Sequence, residues 1–151
     1  MTPATQEATI INWNDGLRIG VASIDGENHR LARLINRLYA MMLAGRGSEY
    51  LPTVLHHLKT RSAHQIADEE TVLKGHAYPG LDKQQYQHEE LRSKVEEWDR
   101  ACRAGELVLP ADVLIYLKEW WRDHVLGTDR EYVPFMEQWG VAPSMRAARV
   151  N

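Results

Sequence analysis

Glu69 and Glu70 open a stretch that runs through Leu73 to a Tyr78-Pro79 turn and on to His88. Further along, His124-x-x-x-x-Asp129 closes a tryptophan-rich amphipathic run. Carboxylates and imidazoles drawn from several helices are what a non-haem metal centre inside a helical bundle requires. Three amides accompany them: Asn28, Gln65 and Gln84. Gln65 and Glu69 are spaced i,i+4, as are Gln84 and His88, so each pair lies about 40° apart on one helix face. The neighbouring apolar residues say which way those faces point. Gln65 and Glu69 are in line with Leu58 and Val72, and Gln84 and His88 with Leu91 and Val95. Asn28 shares a face with Leu31, Ile35 and Leu38, and His124 follows Leu117 and Trp121. Asp129 is roughly 140° from His124 on an ideal helix. Both reach one cluster only if the helix loosens there or the cluster is wide. Burying so many polar groups is costly unless hydrogen bonds or a metal satisfy them.

Taken singly, these features are weak. A lone His-x-x-x-x-Asp on a helix is usually solvent-facing, and an inward glutamine is more often a satisfied core amide than a ligand. Convergence on four apolar faces is what points to a metal-derived site. His29 and His64 each lie one residue from an inward position. His29 shares its face with Arg33 and Asn36, and His64 with Arg61 and Asp68. Both are expected on the surface, with a wide helical turn needed to swing either in as a reserve ligand. His56 and His57 fall on a polar side, His76 falls in a loop, and Trp120 and Trp121 are expected in the core.

The elements that must carry these residues are four helices. The first starts after Ser23 or Asp25, either able to cap it, and ends near Gly45 and Gly47. The second starts near Glu49 with Pro52 in its first turn, and its stripe is Leu51, Val54, Leu55 and Leu58, then Val72 and Leu73. Gly75, Pro79 and Gly80 break the chain. The third runs from about 82 to 104, with Leu91, Val95 and Trp98 inward and Gly105 ending it. The fourth starts at Pro110, carries Leu114, Leu117, Trp121 and Val125 inward, and is limited by Pro134. Helices of about 20 residues with short connections imply an all-α, up-down-up-down antiparallel four-helix bundle. Residues 1 to about 23 read as an N-terminal arm packed down by Trp13, and about 140–151 as a loose tail.

The chain has 151 residues, a prior for a single domain over 1–151, and 44% hydrophobic residues, enough for a core. A net charge of −3 with no basic stripe argues against nucleic acid and anionic membrane as partners. The one cysteine, Cys102, excludes an internal disulfide and suits a reducing compartment. The start of the chain lacks the pattern of a signal peptide, and no apolar stretch approaches the roughly 20 residues of a membrane span. A cytoplasmic protein, monomeric or a small homo-oligomer, is expected.

Four segments in order, the stretch around Trp13, IDGENHRLARLINRLY, DEETVLKGHAYPGL and LKEWWRDHVLGTDREYVPF, resemble the bacterial hemerythrins over nearly the whole chain. The resemblance implies a four-helix bundle with a di-iron centre that binds molecular oxygen reversibly, and no enzymatic activity. It implies five histidine ligands and two bridging carboxylates. By position the carboxylates are Glu69 and Asp129, and two of the histidines are His88 and His124. The other three positions carry Asn28, Gln65 and Gln84. In family terms Asn28 and Gln65 serve the iron with the open oxygen position, and Gln84 joins His88 and His124 on the other.

Oxygen binding of this type resembles a two-electron transfer, one electron from each ferrous ion. Amides are weak neutral donors, so the residues present favour one iron or none, with zinc as another candidate ion for His88, His124 and the carboxylates. Three functions follow: an impaired oxygen carrier, store or sensor; an enzyme on a mononuclear site; or a metal-free scaffold. In the metal-free case the three amides are expected to hydrogen-bond Glu69 and Asp129 in place of the cation.

Overall fold

A computed structural model of the chain describes residues 8–20 and 22–138. The expected tail at 140–151, the start of the arm and the Ser23 side chain lie outside the described residues. Four long helices, α1 (Ala22–Leu43), α2 (Gly47–Gly75), α3 (Leu81–Arg103) and α4 (Pro110–Val125), are followed by a 3-10 turn at Thr128–Tyr132 and a short α5 (Val133–Gln138). The long helices form an antiparallel bundle in which α1 packs on α2 and α4, and α2 packs on α3. Each contributes a stripe at helical spacing: Ala32, Ile35 and Leu38; Val54, Leu55 and Leu58; Leu91 and Val95; Val113, Leu117 and Trp121. All are buried. Gly45 and Gly105 follow the ends of α1 and α3 with φ of +74° and +75°, the left-handed turn that glycine adopts without steric cost.

Four expectations are corrected. Asp25 does not cap α1. It sits within the first turn, and its carboxylate accepts the Ile19 and Gly20 N–H groups at 2.8 and 3.0 Å, tying the incoming chain down. α2 begins at Gly47 rather than near Glu49, which puts Pro52 inside the helix. Only the bond that its missing N–H would have made to Ser48 is lost. Val72 is 39% exposed rather than inward. α2 is 29 residues long and α1 only 22, so the last turns of α2 run past the start of α1, and the flank carrying Val72 has no helix beside it. Finally, α4 ends at Val125, well before Pro134, which lies in the first turn of α5 and helps start it.

The arm is docked by one side chain. Asn36 Oδ1 accepts the N–H groups of Ile10 and Ile11, both at 2.8 Å, and its Nδ2 donates to Ile11 O at 2.8 Å. Ile11 is buried in the core, and Trp13 lies edge-on to Trp121 at 6.3 Å, as expected of it. Asn36→Ala removes all three bonds. It should destabilise the protein by about 2–3 kcal/mol and expose the arm, read as faster proteolytic cleavage ahead of residue 20 with the helical circular-dichroism signal intact.

Candidate metal centre

Glu69 on α2, His88 and Gln84 on α3, His124 on α4 and Asp129 in the 3-10 turn are buried and face one another. The helical stripes deliver the first four. Asp129 arrives because α4 has ended: Gly127, at φ −110° and ψ −83°, turns the chain out of the helix. A Cβ there would lie 2.5 Å from Asp123 O, so only glycine fits. The roughly 140° offset of an ideal helix is removed by this break, the loosening that the spacing demanded.

The ring atoms nearest the centre are His88 Nε2 and His124 Nε2, 3.1 Å apart. Glu69 Oε1 is 3.8 Å from each of them, and Asp129 Oδ1 is 3.0 Å from His124 Nε2. Ligands on a first-row divalent ion at about 2.1 Å stand roughly 3.0–3.5 Å from one another. Two of these four separations fall in that range, and those to Glu69 are slightly open. Glu69, His88 and His124 form a group able to hold a metal ion.

The outer ring nitrogens decide the tautomers. His88 Nδ1 lies 2.7 Å from Glu70 Oε2, and His124 Nδ1 lies 2.6 Å from Gln87 Oε1. Both partners can accept, so an Nδ1–H on each neutral ring would leave its Nε2 lone pair to the centre. Two lone pairs at 3.1 Å beside two carboxylates repel unless a cation or a proton lies among them. Burial, and then the neighbouring His124, hold His88 below its ordinary pKa, which keeps it in the neutral form that binds metals. Trp120 stacks on His124 at 4.4 Å and donates its indole N–H to Gln87 O at 3.0 Å. It is half-buried rather than core, and holds His124 and Gln87 in place.

The carboxylates are short of donors. Neither Glu69 oxygen nor Asp129 Oδ2 has a hydrogen-bond partner. The bond open between Glu69 and Asp129 requires a proton on one of them. Burial, and then the charge of Asp129, push the Glu69 carboxyl well above its usual range. Burial also pushes Asp129 up, but His124, Glu69 and Gln84 outweigh it and hold the group below its ordinary value. Buried acceptors without donors fit a site built for a cation.

The amides divide into two sets. Gln84 donates from Nε2 to Asp129 Oδ1 at 3.1 Å and to Thr128 O at 3.3 Å, as the metal-free reading expected. Asn28 and Gln65 do not serve the carboxylates. Gln65 Nε2 donates to Asn28 Oδ1 at 2.7 Å, pairing the two amides across α1 and α2, while the buried Asn28 Nδ2 has no partner. That pair is a poor fit to a second iron, because both groups are neutral amides, weak donors beside imidazole and carboxylate. Gln65 is also only partly buried. Of the reserve ligands, His64 is exposed as expected. His29 is not simply exposed: Trp13 stacks on it at 4.9 Å and 8°, which fixes the ring in the arm's packing.

Sequence reasoning missed Gln87 and the orienting role of Glu70. Glu70 stands about 100° from Glu69 on α2, turned toward α3. Gln87 stands the same angle from His88 on α3 and meets α4. Each is outside its own helix's inward stripe, and only the neighbouring helix makes it a partner. Tyr132, fully buried with its hydroxyl unpartnered, was likewise unseen.

Residues 19–136 match the hemerythrin HHE cation binding domain. The chain is 28% identical over 123 residues to the bacteriohemerythrin of Pseudomonas aeruginosa, covering 80% of this chain and 78% of that protein. It is 24% identical to that of Stenotrophomonas maltophilia (82% and 79%) and 23% identical to that of Clostridium acetobutylicum (80% and 97%).

In chelator-treated protein, Gln84→Leu leaves Asp129 without its amide donor and should cost about 1–3 kcal/mol. Gln65→Leu should cost less, because Gln65 is only partly buried and its partner Asn28 is a neutral amide rather than a carboxylate. Equal losses in thermal melts would contradict this division. Glu69→Gln acts the other way. A carboxyl whose folded pKa is raised contributes stability present below its unfolded pKa and lost as pH rises toward the folded one. The metal-free variant should therefore melt higher than the parent at neutral pH, and the difference should close below the ordinary glutamate range.

Proposed function

Because this chain belongs to the hemerythrin family, we propose that it binds a single iron-class divalent cation between α2, α3 and α4, and that the two-iron oxygen binding of the family is impaired in it. The observation that carries this reading is the facing pair of Nε2 atoms, 3.1 Å apart, with each Nδ1 beside an acceptor. With Glu69 and Asp129 they approach the two-histidine, one-carboxylate arrangement that suits non-haem ferrous iron, and zinc is the competing ion.

His88 and His124 would hold the ion, and Glu69 and Asp129 would neutralise it. A ferrous ion would supply redox capacity, and either ion a Lewis acid. Glu70 and Gln87 keep the imidazoles in the binding tautomer, and Gln84 orients Asp129 while leaving its second oxygen open. Molecular oxygen is the family's ligand by resemblance. Its reversible binding there draws one electron from each of two ferrous ions, and the Asn28–Gln65 pair supports no second one. We assign the cluster a binding role rather than a catalytic one.

Metal analysis after ferrous loading and desalting should find one ion per chain, lost in both His88→Ala and His124→Ala. Loaded protein in air should lack the visible charge-transfer band of a working di-iron oxygen carrier. Asn28→His, Gln65→His and Gln84→His together should raise the count to two and bring the band in. Two irons at full occupancy in the unmodified chain would overturn the proposal.

A further inference from the structure

Glu69, His88, His124 and Asp129 are each at most 3% exposed, so an ion reaches them only if some element moves. Three of the four stand on long helices, Glu69 on α2, His88 on α3 and His124 on α4, which the main core holds together. Those three by themselves form a group able to hold a metal ion. Asp129 stands on a short element, the 3-10 turn of Thr128–Tyr132 that leads into α5.

That element is attached differently from the helices. Its apolar side chains belong to a second, smaller core of Ile19, Ile24, Leu73, Tyr78 and Tyr132, against which Val133 and Phe135 pack. Gly127 breaks the chain out of α4 just ahead of it, a place where a change of backbone angle can be absorbed. Thr128 Oγ1 reaches Asp123 O only at 3.4 Å, and Lys83 pairs with Glu131 at 2.8 Å with both side chains half exposed. An exposed pair of that kind contributes little. One tie reaches the arm: Arg130 donates to Gly16 O. Its charge also favours the ionised Asp25 carboxylate that holds Ile19 and Gly20. Local opening costs least where the core is small and the polar bonds are near solvent.

We propose that residues 127–138 are the gate through which a divalent cation enters and leaves the centre, with Gly127 as its hinge and the Arg130–Gly16 contact as its latch. The proposal rests on the single-ion reading above. With the gate open, Glu69, His88 and His124 keep their places on the helices and form the landing site. Closure adds Asp129 and excludes water. In the closed form without an ion, Glu69 and Asp129 Oδ2 lack donors, so a bound cation favours closure. The latch is made in the closed form with or without an ion. It therefore sets how often the gate opens and not how tightly the ion is held, because affinity shifts only through an interaction that differs between the free and bound forms.

The test follows cobalt(II) uptake by the metal-free full chain in stopped flow, release into a chelator, and amide hydrogen exchange without any metal. The uptake rate should rise with cobalt concentration to a plateau, which is the opening rate. Arg130→Gln should raise the plateau and the release rate together by about tenfold, the weight of one charged hydrogen bond, and leave Kd within about threefold. Amides of 128–138 should exchange faster than those of α3 around Leu91 in the unmodified chain, and the variant should speed the first group and not the second. The gate is overturned if uptake stays linear in cobalt, if Arg130→Gln leaves both rates unchanged, or if it alters release and Kd without uptake. Exchange in 128–138 as slow as in α3 would overturn it too. Absence of cobalt binding removes the single-ion reading and the gate with it, whereas tight binding with rates indifferent to Arg130→Gln removes the gate alone.

Discussion

The Nε2 atoms of His88 and His124 face each other at 3.1 Å, and Glu69 and Asp129 add charge to the same small volume. Such a cluster is unfavourable in a low-dielectric interior unless a cation joins it. The surrounding structure must therefore keep it from relaxing. The apolar stripes of α2, α3 and α4 do so by burying each ligand within a packed face. Glu70, Gln87 and Gln84 then fix the rotation or orientation of individual side chains. Without those outer partners the imidazoles would be free to turn Nε2 away from one another.

The 3-10 turn is the second requirement, and much of the smaller core exists to support it. Tyr132 packs edge-on against Tyr78 at 5.8 Å, and Phe135 meets Tyr78 at 5.2 Å. The turn after α2, where Tyr78 sits, and the turn after α4, where Asp129 sits, are thus braced against each other. Burial, and then Glu69 and Asp129, push the Tyr132 hydroxyl well above its ordinary pKa, so it stays neutral beside the carboxylates. Arg130 donates to Gly16 O from the same turn, and Asp25 holds Ile19 and Gly20. The arm is consequently part of the frame that positions Asp129, rather than an appendage.

On the far side of Glu69 the chemistry changes. Asn28 and Gln65 join through one hydrogen bond at 2.7 Å, which a pair of imidazoles at those positions could make only by giving up a metal-binding lone pair. A neutral pair spanning α1 and α2 secures the helix contact without a cation. The two sides of the bundle therefore differ in kind. One gathers acceptors around a point, and the other joins two neutral amides.

Much of this was legible in the sequence because helical periodicity is local. The spacing of Leu31, Ile35 and Leu38 places Asn28 inside, and Leu91 and Val95 place Gln84 and His88 inside, whatever the rest of the chain does. The order of the four segments carried the family, and the amides Asn28, Gln65 and Gln84, at positions where the resemblance implies histidines, carried the proposal of a single ion. What the sequence could not decide depended on pairs from different helices. Val72 follows the inward pattern yet lies exposed, because α1 is too short to cover it. Asp129 sits on the wrong side of an ideal helix, and only the break at Gly127 brings it to His124. Gln65 was expected beside the carboxylates and instead meets Asn28. Glu70 and Gln87 stand outside their own helices' stripes and gain their partners from the next helix. Periodicity sets the face of a side chain, but which atom it meets depends on helix length, end and register, and packing alone determines those.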